Sequence, residues 1–216
     1  MKIGTDGVLL GAWTEFYQPK TILDVGTGSG LIALMMAQKF LDASIDAVEI
    51  EKEASKEAES NFKISPWNKR LKIYPVALQE FKPPVKYDII ISNPPFFDEK
   101  VPAKGIARQM ARQDYQLKPE DIFKFSDRFS TPNGIITIIY PYSKVNRLIS
   151  IAEHYSFYPR RITYVKGNPH AAIKRVLISF FREKITPDEN NLVIENSRHH
   201  YTNEYIELTK DFYWNM

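Results

Sequence analysis

The chain has 216 residues and a formal net charge of +3, and 44% of its residues are hydrophobic and 25% charged, a composition typical of one globular domain with a substantial core. It contains no cysteine, which excludes disulfides, cysteine nucleophiles and zinc–thiolate sites. Its apolar stretches have only the length of strands and no signal peptide begins the chain, so we expect no membrane-spanning helix and a cytoplasmic protein.

Apolar strands alternate with amphipathic helices, which predicts a parallel α/β sheet. Strands are predicted over 21–25, 45–50, 71–76, 87–92, 134–140, 160–166 and 174–182. Helices are predicted over 29–40, 51–63, 118–130 and 143–154. The last two strands are too close in sequence for a helical crossover, so we expect an antiparallel hairpin. The tail 184–216 has a short apolar run and an aromatic-rich end, which could add a strand and a helix.

A glycine-rich turn follows the first strand. The run Gly26-Thr27-Gly28-Ser29-Gly30 permits a tight turn and a close backbone approach to a ligand, and the next helix presents free N–H groups. Its spacing is G-x-G-x-G and not the G-x-G-x-x-G of dinucleotide-binding folds, which disfavours a dehydrogenase. Glu49 ends the second strand about twenty residues later, where a ribose-binding carboxylate is expected.

A rigid polar turn, Asn93-Pro94-Pro95-Phe96, follows the fourth strand. It offers amide and carbonyl acceptors but few donors, because proline has no N–H. Acceptors can hold an exocyclic amino group while its lone pair stays free to act as a nucleophile, and the aromatic ring can stack on the planar group that carries it. We therefore predict that Asn93, Pro94 and Phe96 are catalytic residues acting on a planar amino-bearing substrate.

Positive charge is concentrated in the middle of the chain. Residues 100–182 carry a formal excess of +10, whereas the segments before and after them carry −3 and −4. Such an excess favours a surface that faces a polyanion. The segment contains Lys100, Lys104, Arg108, Arg112, Arg128, Lys144, Arg147, Arg160, Arg161, Lys166, Lys174, Arg175 and Arg182.

The pattern Asp24-x-Gly26-x-Gly28-x-Gly30, followed by Glu49 and by the Asn-Pro-Pro-aromatic turn, resembles the motifs of class I S-adenosylmethionine methyltransferases. The run from Lys2 to Trp13 and the end from Tyr201 to Tyr213 are similar to the bacterial tRNA1(Val) adenine-N6-methyltransferase family, so the resemblance extends nearly end to end. That family usually has a further segment before Lys2. It also has tyrosine more often than phenylalanine at position 96, and Phe96 keeps the stacking ring.

The resemblance implies a Rossmann-like class I methyltransferase fold. Its sheet would be seven-stranded and mostly parallel, with a C-terminal antiparallel hairpin and helices on both faces. The methyltransferase domain would occupy residues 1–183, and residues 184–216 would be an extension packed on it. The expected reaction is methylation of N6 of a flipped adenine in tRNA, at position 37 of tRNA1(Val), with S-adenosylmethionine as cofactor and without a metal. The expected partner is tRNA, with no membrane and no obligate protein partner.

The resemblance also implies roles for particular residues. Asp24 would anchor the cofactor ammonium, directly or through water, and Glu49 would accept hydrogen bonds from the ribose hydroxyls. The other expected cofactor contacts are Thr5 and Asp6 at the methionine part, Gly26, Gly28 and Gly30 in the turn, and Ala77 and Leu78 near the adenine. The candidate RNA contacts are Lys100, Lys104, Arg108 and Arg112.

Each of these residues also has a structural interpretation. Asp24 could cap the turn, Glu49 could cap the helix near Lys52, and Asn93 could open an ordinary Asn-Pro turn. The aromatic residues of 201–214 are more often core than base-stacking platforms. At the level of function, a protein-glutamine methyltransferase, a ribosomal-RNA adenine methyltransferase and a non-catalytic cofactor- or RNA-binding module remain alternatives.

Overall fold

A computed structural model describes residues 4–95 and 117–213. Its strands are β1 (Thr21–Val25), β2 (Ser44–Val48), β3 (Leu71–Tyr74), β4 (Tyr87–Ser92), β5 (Ser130–Pro141), β6 (Tyr158–Lys166), β7 (Arg175–Phe181), β8 (Asp188–Val193), β9 (Glu195–Ser197) and β10 (His200–Tyr201). Its helices are α1 (Thr5–Trp13), α2 (Leu31–Lys39), α3 (Lys52–Ile64), α4 (Pro119–Phe129), α5 (Val145–His154) and α6 (Asn203–Thr209).

The main sheet has the order β3-β2-β1-β4-β5-β7-β6-β8. Strands β3, β2, β1, β4 and β5 are parallel to one another, whereas β7 pairs antiparallel with both β5 and β6. The predicted fold class is therefore confirmed: a mostly parallel sheet with an antiparallel hairpin. All seven predicted strands and all four predicted helices are present, with differences of a few residues at their ends.

The sheet has eight strands and not the predicted seven, because the tail adds β8 in parallel to β6. A chain of hydrogen bonds fixes this addition: the Trp13 indole N–H donates to Thr163 Oγ1 at 2.8 Å, and Thr163 donates to Asn190 Oδ1 at 2.5 Å. The tail then forms the β9–β10 hairpin and α6, which packs on α1. The tail is thus joined to the sheet and to the first helix.

Helix α1 was not predicted from the sequence. Residues 7–13 are all buried, so the helix has no polar face to reveal a helical period. It also contains two glycines, which lower helix propensity. Gly11 lets α1 lie close to α2: a Cβ atom there would lie 2.7 Å from the Met35 sulfur, so that side chain would have to shift.

Alternate strand residues face two apolar layers. Ile89 and Ile91 of β4 pack with α1, α2 and α6, whereas Ile90 packs with α4 and α5 on the other face. Helices therefore cover both faces, as predicted, and the ends of the strands are left to form a site. Within the described ranges, no helix is both long and apolar enough to cross a membrane.

Candidate active site

Three turns leave the carboxyl edge of the sheet side by side. Val25 of β1 pairs with Val48 of β2 on one side and with Ser92 of β4 on the other. The residues that directly follow these three are Gly26, Glu49 and Asn93. Adjacent strands are about 4.8 Å apart, so the three turns start as close neighbours. The strand order reverses between β1 and β4, which is where open α/β sheets bind their ligands.

The glycine turn has a backbone that requires glycine. Gly26, Gly28 and Gly30 have φ angles of +70°, +59° and +87°, in the left-handed region that other residues rarely adopt. A Cβ atom on Gly30 would also lie 2.5 Å from the Phe62 ring of α3. The Gly26 N–H donates to the Val48 carbonyl at 2.9 Å, which holds the turn against β2.

Asp24 lies fully buried beneath this turn. Its Oδ2 accepts hydrogen bonds from Thr27 Oγ1 at 2.5 Å and from the Ala33 N–H at 3.0 Å, so the side chain fastens the turn to α2. Its Oδ1 is buried and has no hydrogen-bond partner among the described residues. Burial raises the pKa of Asp24 from 3.8 to about 7, the two hydrogen bonds oppose that rise, and the nearby charge of Glu49 adds to it. A buried carboxylate oxygen without a hydrogen-bond partner favours the binding of a cation in the crevice between the three turns.

Glu49 is half-buried and faces the same turn. Its Oε2 accepts from the Gly28 N–H at 2.9 Å and its Oε1 accepts from the Glu51 N–H at 2.8 Å. The interpretation of Glu49 as a helix cap is wrong, because the N-cap of α3 is Glu51, whose carboxylate accepts from the Ala54 N–H at 2.7 Å. Each Glu49 oxygen keeps lone-pair capacity for a further donor, such as a sugar hydroxyl.

The turn that begins at Asn93 is tied to the glycine turn. Ser92 is buried, and its Oγ donates to the Val25 carbonyl at 2.8 Å, which joins the last residues of β4 and β1. Asn93 is half-buried, Pro94 is buried and Pro95 is exposed. The other residues predicted for substrate or RNA contact lie outside the described residues: Phe96, Lys100, Lys104, Arg108 and Arg112.

The remaining predicted cofactor contacts surround this crevice less directly. Ala77 and Leu78 are buried in the turn after β3, the strand next to β2. Thr5 is exposed at the start of α1. Asp6 pairs with Arg175 Nε at 2.8 Å and so ties α1 to the start of β7.

Two apolar residues near the crevice were not singled out from the sequence. Ile50, directly after Glu49, is 51% exposed although it is large and aliphatic. Its position after the ribose-binding candidate was a signal that could have identified it. Leu117 lies over the glycine turn, since its Cδ2 would be 3.2 Å from a Cβ atom on Gly26. No local pattern in the sequence marks Leu117.

Within residues 117–182, the basic residues are divided between the two edges of the sheet. β6 runs parallel to β5 through the antiparallel β7, so its start and its end lie at opposite edges of the sheet. Arg161, near the start of β6, pairs with Glu15 at 2.9 Å, and Arg182, after β7, pairs with Asp127 at 2.9 Å. Both lie at the amino edge, away from Asn93. Lys166 and Lys174 lie at the carboxyl edge, together with the crevice.

The sheet order and the antiparallel hairpin give the chain the fold of class I methyltransferases. Among solved structures, the chain is similar to one described as a predicted O-methyltransferase from Agrobacterium tumefaciens, with a TM-score of 0.74 over 95% of this chain and 96% of that one. The two sequences are 17% identical, so the likeness shows the fold alone.

Sequence comparison defines the family more narrowly. The methyltransferase small domain family matches residues 4–120. A tRNA1(Val) (adenine(37)-N6)-methyltransferase of Flavobacterium psychrophilum is 45% identical, over 100% of this chain and 94% of the relative. The relative of that name from Flavobacterium johnsoniae is 44% identical, with the same shares covered. The chain belongs to this methyltransferase family, which confirms the resemblance found at its two ends.

Proposed function

We propose that this protein uses S-adenosylmethionine to methylate N6 of an adenine in tRNA, at position 37 of tRNA1(Val). The proposal depends most on the adjacency of two turns. The turn at Asn93 follows β4, the glycine turn at Gly26 follows β1, and these two strands are paired neighbours. The names of the relatives indicate the RNA and the position. Such an enzyme would work in the cytoplasm, where its tRNA substrate is found.

The crevice has the donor and acceptor groups that the cofactor needs. The unpaired Oδ1 of Asp24 provides negative charge beneath the glycine turn, where we place the ammonium group of the amino-acid part. Glu49 accepts from the ribose hydroxyls. We assign Thr5 and Asp6 to the methionine part, as the resemblance implies. S-adenosylmethionine supplies the methyl group and retains the bonding electron pair on sulfur when the C–S bond breaks.

The cofactor adenine is assigned to the apolar groups beyond Glu49. Ala77 and Leu78 are buried apolar residues after β3, and Ile50, directly after Glu49, adds an exposed aliphatic side chain. A flat ring between such groups loses water from both faces, which favours binding.

In this proposal Asn93-Pro94-Pro95-Phe96 is the substrate turn, which would orient the adenine N6 for attack on the methyl group. The Asn93 side-chain oxygen and the Pro94 carbonyl accept from the two N6–H bonds, and they stabilise the positive charge that develops on nitrogen as the methyl bond forms. Phe96 stacks on the base, which must leave its own stack to enter the crevice. Alignment of the N6 lone pair with the methyl group supplies most of the rate enhancement. The amino proton leaves to water after transfer.

The same proposal assigns residues 1–183 to the methyltransferase domain and residues 184–216 to its extension. Lys100, Lys104, Arg108 and Arg112 follow the substrate turn directly in sequence, and we assign them to the RNA backbone.

Cofactor binding is expected to depend on pH through Asp24. A cation beside Oδ1 favours the ionised form, so binding below pH 7 displaces the proton that burial retains on Asp24. Affinity for S-adenosylmethionine should rise with pH, by up to about tenfold per pH unit, until it levels off near neutrality. Calorimetry between pH 5.5 and 8 measures this, and Asp24→Asn should remove most of the dependence. The same slope in the Asn variant would contradict the role of Asp24.

The raised pKa of Asp24 also makes the stability of the cofactor-free protein depend on pH. Whereas cofactor affinity should rise with pH, this stability should fall. The folded state holds the Asp24 proton more tightly than the unfolded state, so the free energy of unfolding contributed by this group falls as pH rises from 3.8 to about 7. Saturating cofactor should reduce that fall, because its ammonium stabilises the ionised carboxylate. Thermal melts with and without the cofactor separate the two effects.

The function is tested with labelled S-adenosylmethionine and three acceptors: bulk tRNA lacking the modification, ribosomal RNA and purified release factors. Label should enter tRNA alone. Incorporation only into release factors would establish the protein-glutamine alternative, and incorporation only into ribosomal RNA would establish the other RNA alternative. Failure to bind the cofactor in calorimetry would leave a non-catalytic module.

A further inference from the structure

We propose that a pocket between the C-terminal tail and the start of α1 binds an unpaired nucleotide of the RNA substrate, a few positions away from the methylated adenine. This inference rests on the proposed function, and it gives the tail a direct part in substrate recognition. The pocket has a volume of about 500 Å³, within the range of small-ligand sites. Its walls include Thr5 of α1 and, from the tail, Glu195, Arg198, His199, Tyr201 and Tyr205.

Hydrogen bonds within the tail shape the pocket. The Glu195 carboxylate accepts from the His199 N–H at 3.0 Å, across a turn in which His199 has a φ of +65°. Thr202 Oγ1 donates to the Val193 carbonyl at 2.5 Å and accepts from the Tyr205 N–H at 3.2 Å. The bonds of Thr202 join the end of β8 to the start of α6, so side-chain-to-backbone hydrogen bonds hold the tail segments that line the pocket.

Tyr201 provides an aromatic face to the pocket. It is 40% exposed, whereas Tyr205 behind it is only 2% exposed, and the two ring centroids are 5.3 Å apart. The Tyr205 hydroxyl lies 3.4 Å from that of Tyr213, which fixes the supporting ring. An exposed ring that is backed by a buried one is held in position, and bases stack on such rings with little sequence preference.

The polar groups of the pocket complement a nucleotide. Arg198 and His199 are exposed on one side, where Arg198 can contact a phosphate. The Glu195 carboxylate can accept from the amino group or N–H edge of a base. Thus an aromatic face, a cation and an acceptor meet in one pocket.

The pocket lies at the same edge of the sheet as the catalytic turn. β8 is parallel to β6, so the end of β8 and Asn93 both lie at the carboxyl edge. Four strand spacings separate β4 from β8, which is about 20 Å. An unpaired strand of RNA covers that distance in a few nucleotides. A second cavity, lined in part by Trp13, Tyr17 and Arg160, lies at the opposite edge.

Aromatic and basic residues lie between the two sites. Tyr142 directly follows β5 and is 43% exposed, with its ring edge-on to Tyr164 at 5.8 Å. Lys174 is exposed just before β7, and its carbonyl accepts from the Tyr142 N–H at 3.1 Å. Lys166 ends β6 beside the pocket. These residues form a strip that an RNA strand can follow from Asn93 to Tyr201.

The test compares Tyr201→Ala, Tyr201→Phe and Arg198→Ala with the wild type, using full-length tRNA lacking the modification. Tyr201→Ala should raise the KM for tRNA about tenfold, with kcat and the dissociation constant for S-adenosylmethionine unchanged. Tyr201→Phe keeps the ring and should behave as the wild type. Arg198→Ala should reduce the salt dependence of tRNA binding by about one unit of log–log slope.

Tyr17→Ala is the matched control, because Tyr17 is 85% exposed and lies at the opposite edge. It should leave every constant unchanged. If the wild type is active but the Tyr201 variant keeps its KM and the Arg198 variant keeps its salt slope, the proposed role of the pocket is wrong. The proposed function would be unaffected by that result. A wild type that binds the cofactor but neither binds nor methylates tRNA would overturn the proposed function and the pocket with it. A KM increase in Tyr17→Ala equal to that in Tyr201→Ala would also overturn the pocket.

Discussion

Replacing Asn93 with alanine should lower kcat for tRNA methylation by about 10²–10³-fold, the cost of removing one oriented group from a charge-stabilising site. In the proposed mechanism, the lost oxygen is the acceptor that stabilises the positive charge developing on the attacking nitrogen. Asn93 directly follows Ser92, whose hydrogen bond to Val25 fixes the end of the strand, so the backbone of the turn should remain in place. The dissociation constant for S-adenosylmethionine should therefore stay close to that of the wild type.

Single-turnover methylation and calorimetry measure the two quantities separately. Asn133→Ala is the control, because Asn133 is exposed at the start of β5, on the opposite edge of the sheet. It should retain wild-type rate and cofactor affinity. A fully active Asn93→Ala protein would show that this turn does not hold the reacting amino group, and equal losses in both variants would indicate a general defect.

Replacing Glu49 with glutamine should weaken S-adenosylmethionine binding by about 10- to 100-fold, since hydrogen bonds to a charged group contribute roughly 1.5–3 kcal/mol. Two effects act together. The ribose hydroxyls lose a charged acceptor. In the wild type, the Gly28 and Glu51 N–H groups donate to different oxygens of the carboxylate, whereas in the variant both would have to donate to the single amide oxygen. The glycine turn should become less ordered as a result.

Calorimetry on Glu49→Gln, with Glu53→Gln as control, tests this role. Glu53 lies four residues further along, in the first turn of α3, and its exposed carboxylate pairs only with Lys56 among the described residues. The Glu53 variant should bind the cofactor as the wild type does. Wild-type affinity in the Glu49 variant would show that its carboxylate serves only to fasten the turn.

The strands and the switch point could be predicted because their signals are local. Runs such as Thr21–Val25 and Tyr87–Ser92 are short, mostly apolar segments that are followed by turn residues, and the structure reproduces both ranges. Once β1, β2 and β4 are parallel neighbours, the register brings Gly26, Glu49 and Asn93 together. The main features of the candidate site therefore followed from short motifs and strand order.

Other features depend on packing and could not be read locally. α1 has no polar face, and β8 is selected by its pairing with β6 and by the bond from Thr163 to Asn190. The basic residues are divided between two edges of the sheet because of the direction of β6. That direction cannot be predicted from the composition of the segment. Tyr201 and Tyr205 are both tyrosines near the end of the chain, and only their burial separates an exposed ring from a core residue.

The central claim is tested most directly by nucleoside mass spectrometry with position mapping, on unmodified tRNA1(Val) incubated with the protein and S-adenosylmethionine. The account predicts N6-methyladenosine at position 37, present with the wild type and nearly absent with Asn93→Ala. A cofactor-binding preparation that forms no N6-methyladenosine in this tRNA, or forms it equally with the Asn93 variant, would contradict the account.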